Sequence, residues 1–118
     1  MKSIILIIAL INSLAYGPKE SYSVTGKASY YHSKFQGKKT ASGEVFDQNQ
    51  LTAAHKSLPF GTMVEVRNLK NDSVVIVKIN DRLSKKSAFV IDLSLKAAKQ
   101  LNFIRDGHVK VKVEIIQP

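Results

Sequence analysis

The sequence predicts a mainly β domain, closed into a small barrel and carrying one short helix. Three observations lead there. Short runs of β-branched and aromatic residues alternate with turn-forming clusters; a single segment from Ser94 switches to helical spacing; and about a hundred residues remain once the apolar N-terminus is set aside. Many short strands in so little chain favour a closed barrel over a two-sheet sandwich. The 118 residues allow one domain with a modest core, and 44% hydrophobic with 23% charged is a globular composition. No cysteine occurs, which excludes disulfides, a thiol nucleophile and a thiolate metal site, and leaves the core and the β ladders to hold the fold.

Residues 1–15 read as a signal peptide. Lys2 supplies a weak positive charge, Ile4 to Ile11 is apolar, and Ser13-Leu14-Ala15 offers the small residues a signal peptidase reads. The run is far shorter than the ~20 residues of a spanning helix, so cleavage after Ala15 and no stable membrane anchor are expected. The product would be periplasmic or extracellular. Residues 16–23, with Gly17 and Pro18, form a flexible lead-in, and residues 24–118 are the barrel domain.

Val24 to Tyr31 mixes β-branched, aromatic and small residues and predicts the first strand. Ser33 to Gln50 dissolves into Lys, Gly, Ser, Asp and Asn, an irregular excursion of the kind that carries functional groups. Met63 to Leu69, the turn chemistry of Lys70-Asn71-Asp72, and Val74 to Ile79 predict a hairpin. Because Val74 to Val77 is apolar at both alternating positions, that second strand should be covered on both faces, and Phe89-Val90-Ile91 repeats the signature. Leu95, Ala98 and Leu101 then recur at helical spacing before Arg105-Asp106-Gly107. Val109, Val111, Val113 and Ile115 alternate with His108, Lys110, Lys112 and Glu114, a half-buried final strand.

With Lys2 removed from the 18 basic residues, 17 face 9 acidic ones, a formal charge of +8 that favours polyanions. Export excludes nucleic acid as the partner and points to cell-wall polymers with their carboxylates and phosphodiesters. Any one of Lys34, Lys38, Lys39, Lys85 and Lys86 serves solubility; only the group suggests steering. An isolated barrel is expected to be a monomer.

Two carboxylates and an imidazole, Glu44, Asp81 and His55, fit glycosidic bond cleavage, which needs proton transfer to sugar oxygens and negative charge beside an oxocarbenium-like centre. Each also has a structural reading: Glu44 as a solvated turn residue, His55 as a satisfied histidine before the Leu58-Pro59 bend, Asp81 paired with Arg82. Asp92, just ahead of the helix, suits N-terminal capping. Tyr30, Tyr31 and Phe35 suit either core or sugar stacking. His32 and His108 have no ligand spacing with His55, so no metal is expected.

Taken together, Gly26 to Tyr31, Thr40-Ala41-Ser42-Gly43-Glu44-Val45-Phe46-Asp47, Thr52 to Thr62, Val64 to Leu69, Asn80-Asp81-Arg82, Ile91-Asp92-Leu93-Ser94 and Val109 to Val113 resemble the rare lipoprotein A family, septal-ring lytic transglycosylases of bacteria. The resemblance implies a six-stranded double-psi β-barrel. It also implies cleavage of the MurNAc-β-1,4-GlcNAc bond of peptidoglycan glycan strands without water, ending in 1,6-anhydroMurNAc, and no cofactor. It assigns catalysis to Glu44, Asp81 and His55, with Glu44 or Asp81 as the acid/base, and substrate binding to Asp92, Tyr31, Thr40 and Arg82. This chain departs from the family pattern in four places. Leu83-Ser84 stands where Gly-Pro is usual, Tyr30 where tryptophan is usual, His32 replaces a glycine, and no cysteine marks a lipid anchor. The chain also ends without an additional glycan-binding domain, from which weak affinity for stripped glycan is expected. The altered loop keeps a second reading open, an expansin-like wall-binding domain that grips glycan without cutting it.

Overall fold

Six strands close on themselves in this computed structural model, which describes residues 22–116. They are β1 (Ser23–Tyr30), β2 (Thr52–His55), β3 (Met63–Asn68), β4 (Val74–Arg82), β5 (Ile91–Leu93) and β6 (Val109–Ile115), paired in the order β1-β5-β2-β4-β3-β6 around a closed barrel. β1 runs parallel to β5 and β2 parallel to β4, while the remaining pairs are antiparallel. Closure pairs every strand on both sides and leaves no free edge. Residues 1–15 and most of the lead-in lie outside the described residues.

The barrel interior is filled by one residue in two from each strand, among them Ala28, Val64, Val77, Ile79, Leu93 and Val111, all fully buried. Among the described residues one α-helix, α1 (Leu95–Gln100), sends Ala97 and Ala98 onto that core, and Leu101 and Phe103 follow. Ser94 caps it by accepting the Ala97 N–H, so Asp92 is not the cap: it lies in β5, two residues too early.

The β3–β4 hairpin forms as its turn residues predict. Asn68 Oδ1 accepts the Lys70 N–H at 2.8 Å, and Asp72 adopts φ 64°. The expectation that β4 is covered on both faces fails. Val75 and Val77 are buried, but Val74 and Ile76 are 38% and 46% exposed, because nothing among the described residues packs over that part of the outer wall. The signature at Phe89-Val90-Ile91 marks only the start of β5, with Phe89 and Val90 half-buried outside the strand.

The excursion between β1 and β2 holds one 3-10 turn at Ser33–Phe35 and an isolated bridge between Lys39 and Val45. It folds over the outer wall and packs through a separate small cluster of Tyr31, Phe46 and Ala54, with Leu83 against it. That cluster joins the excursion to the β4–β5 loop, and the candidate site is built around it.

Candidate active site

Strand pairing alone sets out one row of side chains across the outer wall. Ser29 of β1 is the register partner of Asp92 in β5, Asp92 that of Ala54 in β2, and Ala54 that of Asp81 in β4. At about 4.8 Å per strand step, Asp92 and Asp81 stand roughly 9.5 Å apart along the sheet, with the small Ala54 as the floor between them. The β2–β4 register slips here: Ala53 pairs with Ile79 and Ala54 with Asp81, leaving Asn80 as the extra residue of a bulge. A bulge re-aims side chains beside it, and Asn80 and Asp81 both contact the excursion.

Asp81 works as an acceptor on both oxygens. Oδ1 accepts the N–H groups of Ala41 and Arg82 at 2.8 Å each, and Oδ2 accepts the Tyr31 hydroxyl at 2.6 Å. Tyr31 is buried and stacked on Phe46, with ring centroids 4.1 Å apart, so its ring serves the small cluster and not a sugar face. Burial, then the hydrogen bond to Asp81, pushes its hydroxyl above the ordinary tyrosine range and keeps it a donor.

Asp92 sits in different surroundings. Its Oδ1 accepts the Ser29 hydroxyl at 3.0 Å, and its other oxygen has no partner among the described residues. Burial pushes this carboxyl up to about 6; the Ser29 hydrogen bond opposes the shift and the Asp81 charge adds to it.

Glu44 is exposed at the tip of the Thr40–Glu44 turn. Its Oε2 pairs with Lys78 Nζ at 2.9 Å and its Oε1 accepts Asn80 Nδ2 at 3.1 Å. These two hydrogen bonds, Lys78 first, hold the carboxyl below its ordinary range, the opposite of what a proton donor at neutral pH needs. Thr40 closes the turn: its N–H and hydroxyl both reach the Glu44 carbonyl, and its hydroxyl also meets Ser42. Gly43, at φ 92°, supplies the left-handed residue the turn requires.

His55 is buried, with both ring nitrogens engaged inside the protein. Nδ1 accepts the N–H groups of Ser57 and Leu58 at 3.0 Å, so the proton is on Nε2, which lies 2.8 Å from the Tyr22 hydroxyl. Burial, with Arg82 and Lys56 nearby, holds the imidazole below its ordinary range and neutral. Its carbonyl accepts Leu83 N and Arg82 Nη1. Arg82 forms no ion pair with Asp81; its guanidinium lies 4.2 Å from the Phe60 ring centroid.

The structure therefore joins Asp81, Tyr31 and Asp92 in one constellation, sets Glu44 beside it on the Asn80 bulge, and gives Thr40, His55 and Arg82 supporting positions. Lys34, Lys38, Lys39, Lys85 and Lys86 are exposed on the two flanking loops and make no ion pair among the described residues. Among the described residues no group of three metal-ligating side chains gathers. Ser29, Phe46, Lys78 and Asn80 belong to the site without having been named as site residues in the sequence: pairing register brings Ser29, Lys78 and Asn80 there, and packing on Tyr31 brings Phe46. Two depressions, of about 450 and 280 Å³, share Glu44, Lys78 and Asn80 as their common wall.

Residues 23–113 match the family model described as lytic transglycolase. A Pasteurella multocida protein named endolytic peptidoglycan transglycosylase RlpA is 49% identical over 96 residues, covering 81% of this chain and 33% of its own length. A Neisseria meningitidis serogroup B protein of the same name is 44% identical over 106 residues, covering 87% of this chain and 44% of its own. The chain thus spans less than half the length of these curated relatives. Among solved structures, a Streptomyces papain inhibitor superposes with TM-score 0.66 at 24% identity, over 81% of this chain and 96% of its own. An expansin of Clavibacter michiganensis superposes with TM-score 0.64 at 21% identity, over 81% and 51%. At these identities the two share the fold alone, a six-stranded double-psi barrel.

Proposed function

Because the chain belongs to the lytic transglycolase family, we propose that this domain cleaves the MurNAc-β-1,4-GlcNAc bond of peptidoglycan glycan strands and closes the MurNAc end as a 1,6-anhydro sugar. The observation that carries the assignment of roles is the Asp92–Ala54–Asp81 row, two carboxyl groups in opposed environments. Asp92 is half-buried with one oxygen unpartnered among the described residues, whereas both oxygens of Asp81 accept hydrogen bonds, so the two side chains suit different roles.

In this reading Asp92, with its carboxyl at about 6 and one oxygen unpartnered, is the proton-transfer group. It gives its proton to the glycosidic oxygen as the C1–O bond breaks and the GlcNAc end leaves with a free 4-hydroxyl. The oxocarbenium-like MurNAc faces Asp81, held as an acceptor by three hydrogen bonds, and Glu44, paired with Lys78. Asp92, now a carboxylate, takes the proton of the MurNAc 6-hydroxyl as O6 bonds to C1, which restores the acid and consumes no water. His55, Thr40 and Arg82 act as positioning residues. His55 shapes the turn after β2, Thr40 the turn under Glu44, and Arg82 spans from the His55 carbonyl to Phe60. A peptidoglycan substrate requires a location outside the cytoplasm, in keeping with export directed by residues 1–15.

Incubation with intact sacculi and with peptide-stripped strands, followed by mass spectrometry, tests the reading. Products ending in 1,6-anhydroMurNAc, lost in Asp92→Asn and Asp81→Asn, are expected. Reducing ends would make the domain a hydrolase, and sedimentation with the wall without release would make it a binding module.

A further inference from the structure

The larger depression beside Glu44, about 450 Å³, is walled by Glu44, Val45, Leu51, Thr52 and Asn80 among others. Two atoms of its lining residues are anomalous. Thr52 Oγ1 and Asn80 Oδ1 are buried and have no hydrogen-bond partner among the described residues, although Thr52 is only 8% exposed and Asn80 4%. Buried polar groups are nearly always paired, so an exception calls for an explanation. The Asn80 amide is not free to turn over, because its Nδ2 is committed to Glu44 Oε1. Its Oδ1 is therefore a fixed acceptor, on a bulge residue that the β2–β4 register slip holds in place. Thr52, one strand away and opposite Lys78, carries a hydroxyl that can donate.

One acceptor and one donor on residues lining the same depression complement a secondary amide, whose N–H would meet Asn80 Oδ1 and whose carbonyl would meet the Thr52 hydroxyl. Val45, 59% exposed, and half-buried Leu51 offer apolar surface for a methyl group at the same opening. Resting on the substrate reading above, we infer that this depression is a subsite for a secondary amide of the substrate, the acetamido group of an N-acetylhexosamine next to the cleaved bond. The two atoms are themselves buried, although their residues line the depression. Engagement includes a χ1 rotation of Thr52 toward the opening and a small displacement of the exposed Glu44 side chain. A sugar with a hydroxyl at C2 has one polar atom there in place of the amide's separate donor and acceptor, and carries no methyl. The stem peptide is the other source of secondary amides, and the test separates the two.

Wild type and Thr52→Val are titrated with tetra-N-acetylchitotetraose, cellotetraose and free stem tetrapeptide, followed by backbone amide NMR. The acetylated sugar is expected to bind at least tenfold more tightly than cellotetraose, shifting the amides of Thr52, Lys78 and Asn80. Thr52→Val should lose that preference while its Tm holds or rises, since an unpaired buried hydroxyl has been removed; a purely structural threonine would leave binding unmoved. Thr52-dependent binding of the tetrapeptide instead would keep the amide site and assign it to the stem peptide. Equal affinity for the two sugars without tetrapeptide binding, or full preference in Thr52→Val, overturns the inference. Binding is read without turnover, so amide-selective binding without anhydro products would sink the transglycosylase reading and leave this one standing.

Discussion

Asp92 and Asp81 face each other across one alanine, since Ala54 is the register partner of both. The arrangement has a cost that a variant makes measurable. Asp92 has its carboxyl at about 6 in the fold against an ordinary 3.8, so the folded state binds this proton more tightly than the unfolded chain. Stability is therefore full below about 3.8 and falls as pH rises towards 6; across that window the loss is up to about 3 kcal/mol. Asp92→Asn keeps an acceptor for Ser29 and carries no charge. It should be more stable than wild type at pH 7.5 by about 1–3 kcal/mol, and inactive. Denaturant melts at pH 4.5 and 7.5 check this: the difference between variant and wild type should shrink at the lower pH.

The same carboxyl sets the pH profile. If Asp92 donates the proton, kcat/KM declines above about pH 6 as the acid form is depleted, approaching tenfold per pH unit. A profile flat from pH 5 to 8 would remove Asp92 from the proton-transfer step.

His55 titrates in the opposite sense. Its folded value lies below the ordinary 6.5, so the stability it contributes is present above 6.5 and is lost as pH falls, until the folded ring itself protonates. Protonation at Nδ1 would evict the Ser57 and Leu58 N–H groups. His55→Ala leaves both donors without their acceptor and should cost about 1–3 kcal/mol. Tyr22→Phe, which removes one hydrogen bond, should cost about 0.5–1.5 kcal/mol. Thermal melts between pH 5 and 8 measure both; the acid-side loss should vanish in His55→Ala.

Where hydrophobic period or turn chemistry carries the signal, the fold was legible: β1, the β3–β4 hairpin, α1 and β6 stand within a residue or a few of their sequence limits. β2 was not, because Ala53 and Ala54 have weak β propensity, and their strand exists because β5 and β4 pair with it on both sides. Val74 and Ile76 misled because an apolar residue on an outer wall looks the same in sequence as a buried one. Motif spacing reached Glu44, Asp81 and Asp92. It could not reveal that Asp92 has a strand position instead of a helix cap, that Ser29 meets Asp92, or that Asn80, next to Asp81 in the chain, reaches Glu44. Those facts are properties of register, including one bulge, and register is long-range.

Glu44 should separate activity from stability. Its carboxylate is exposed and its ion pair with Lys78 is a surface one, of the class that contributes about 0–1 kcal/mol. Glu44→Gln retains the Asn80 contact and should change stability by less than about 0.5 kcal/mol. If Glu44 supplies negative charge at the cleaved bond, release of anhydro products should nonetheless drop by about a hundredfold, roughly 2.7 kcal/mol of barrier. Product release assayed beside a urea melt decides it. Unchanged turnover would return Glu44 to the solvated turn residue that its exposure alone suggests.

Gly26 tests how tightly the approach to Asp92 is built. A Cβ added there would collide with Val90 Cγ1 and press on Val90 Cγ2 and Cβ. Val90 is tied to β1 by donating its N–H to the Lys27 carbonyl at 2.9 Å, one residue ahead of β5. A β-branched side chain has little rotamer freedom with which to yield, so Gly26→Ala should cost about 1–3 kcal/mol through overpacking. Val90→Ala alone opens a half-buried site and should cost about 1 kcal/mol or less. Combined, each change removes the other's defect. The double variant should therefore be more stable than Gly26→Ala alone, with a coupling of about 1–2 kcal/mol in a double-mutant cycle. Additive costs would mean that Val90 moves aside freely, and that the loop entering β5 is looser than its packing against Gly26 implies.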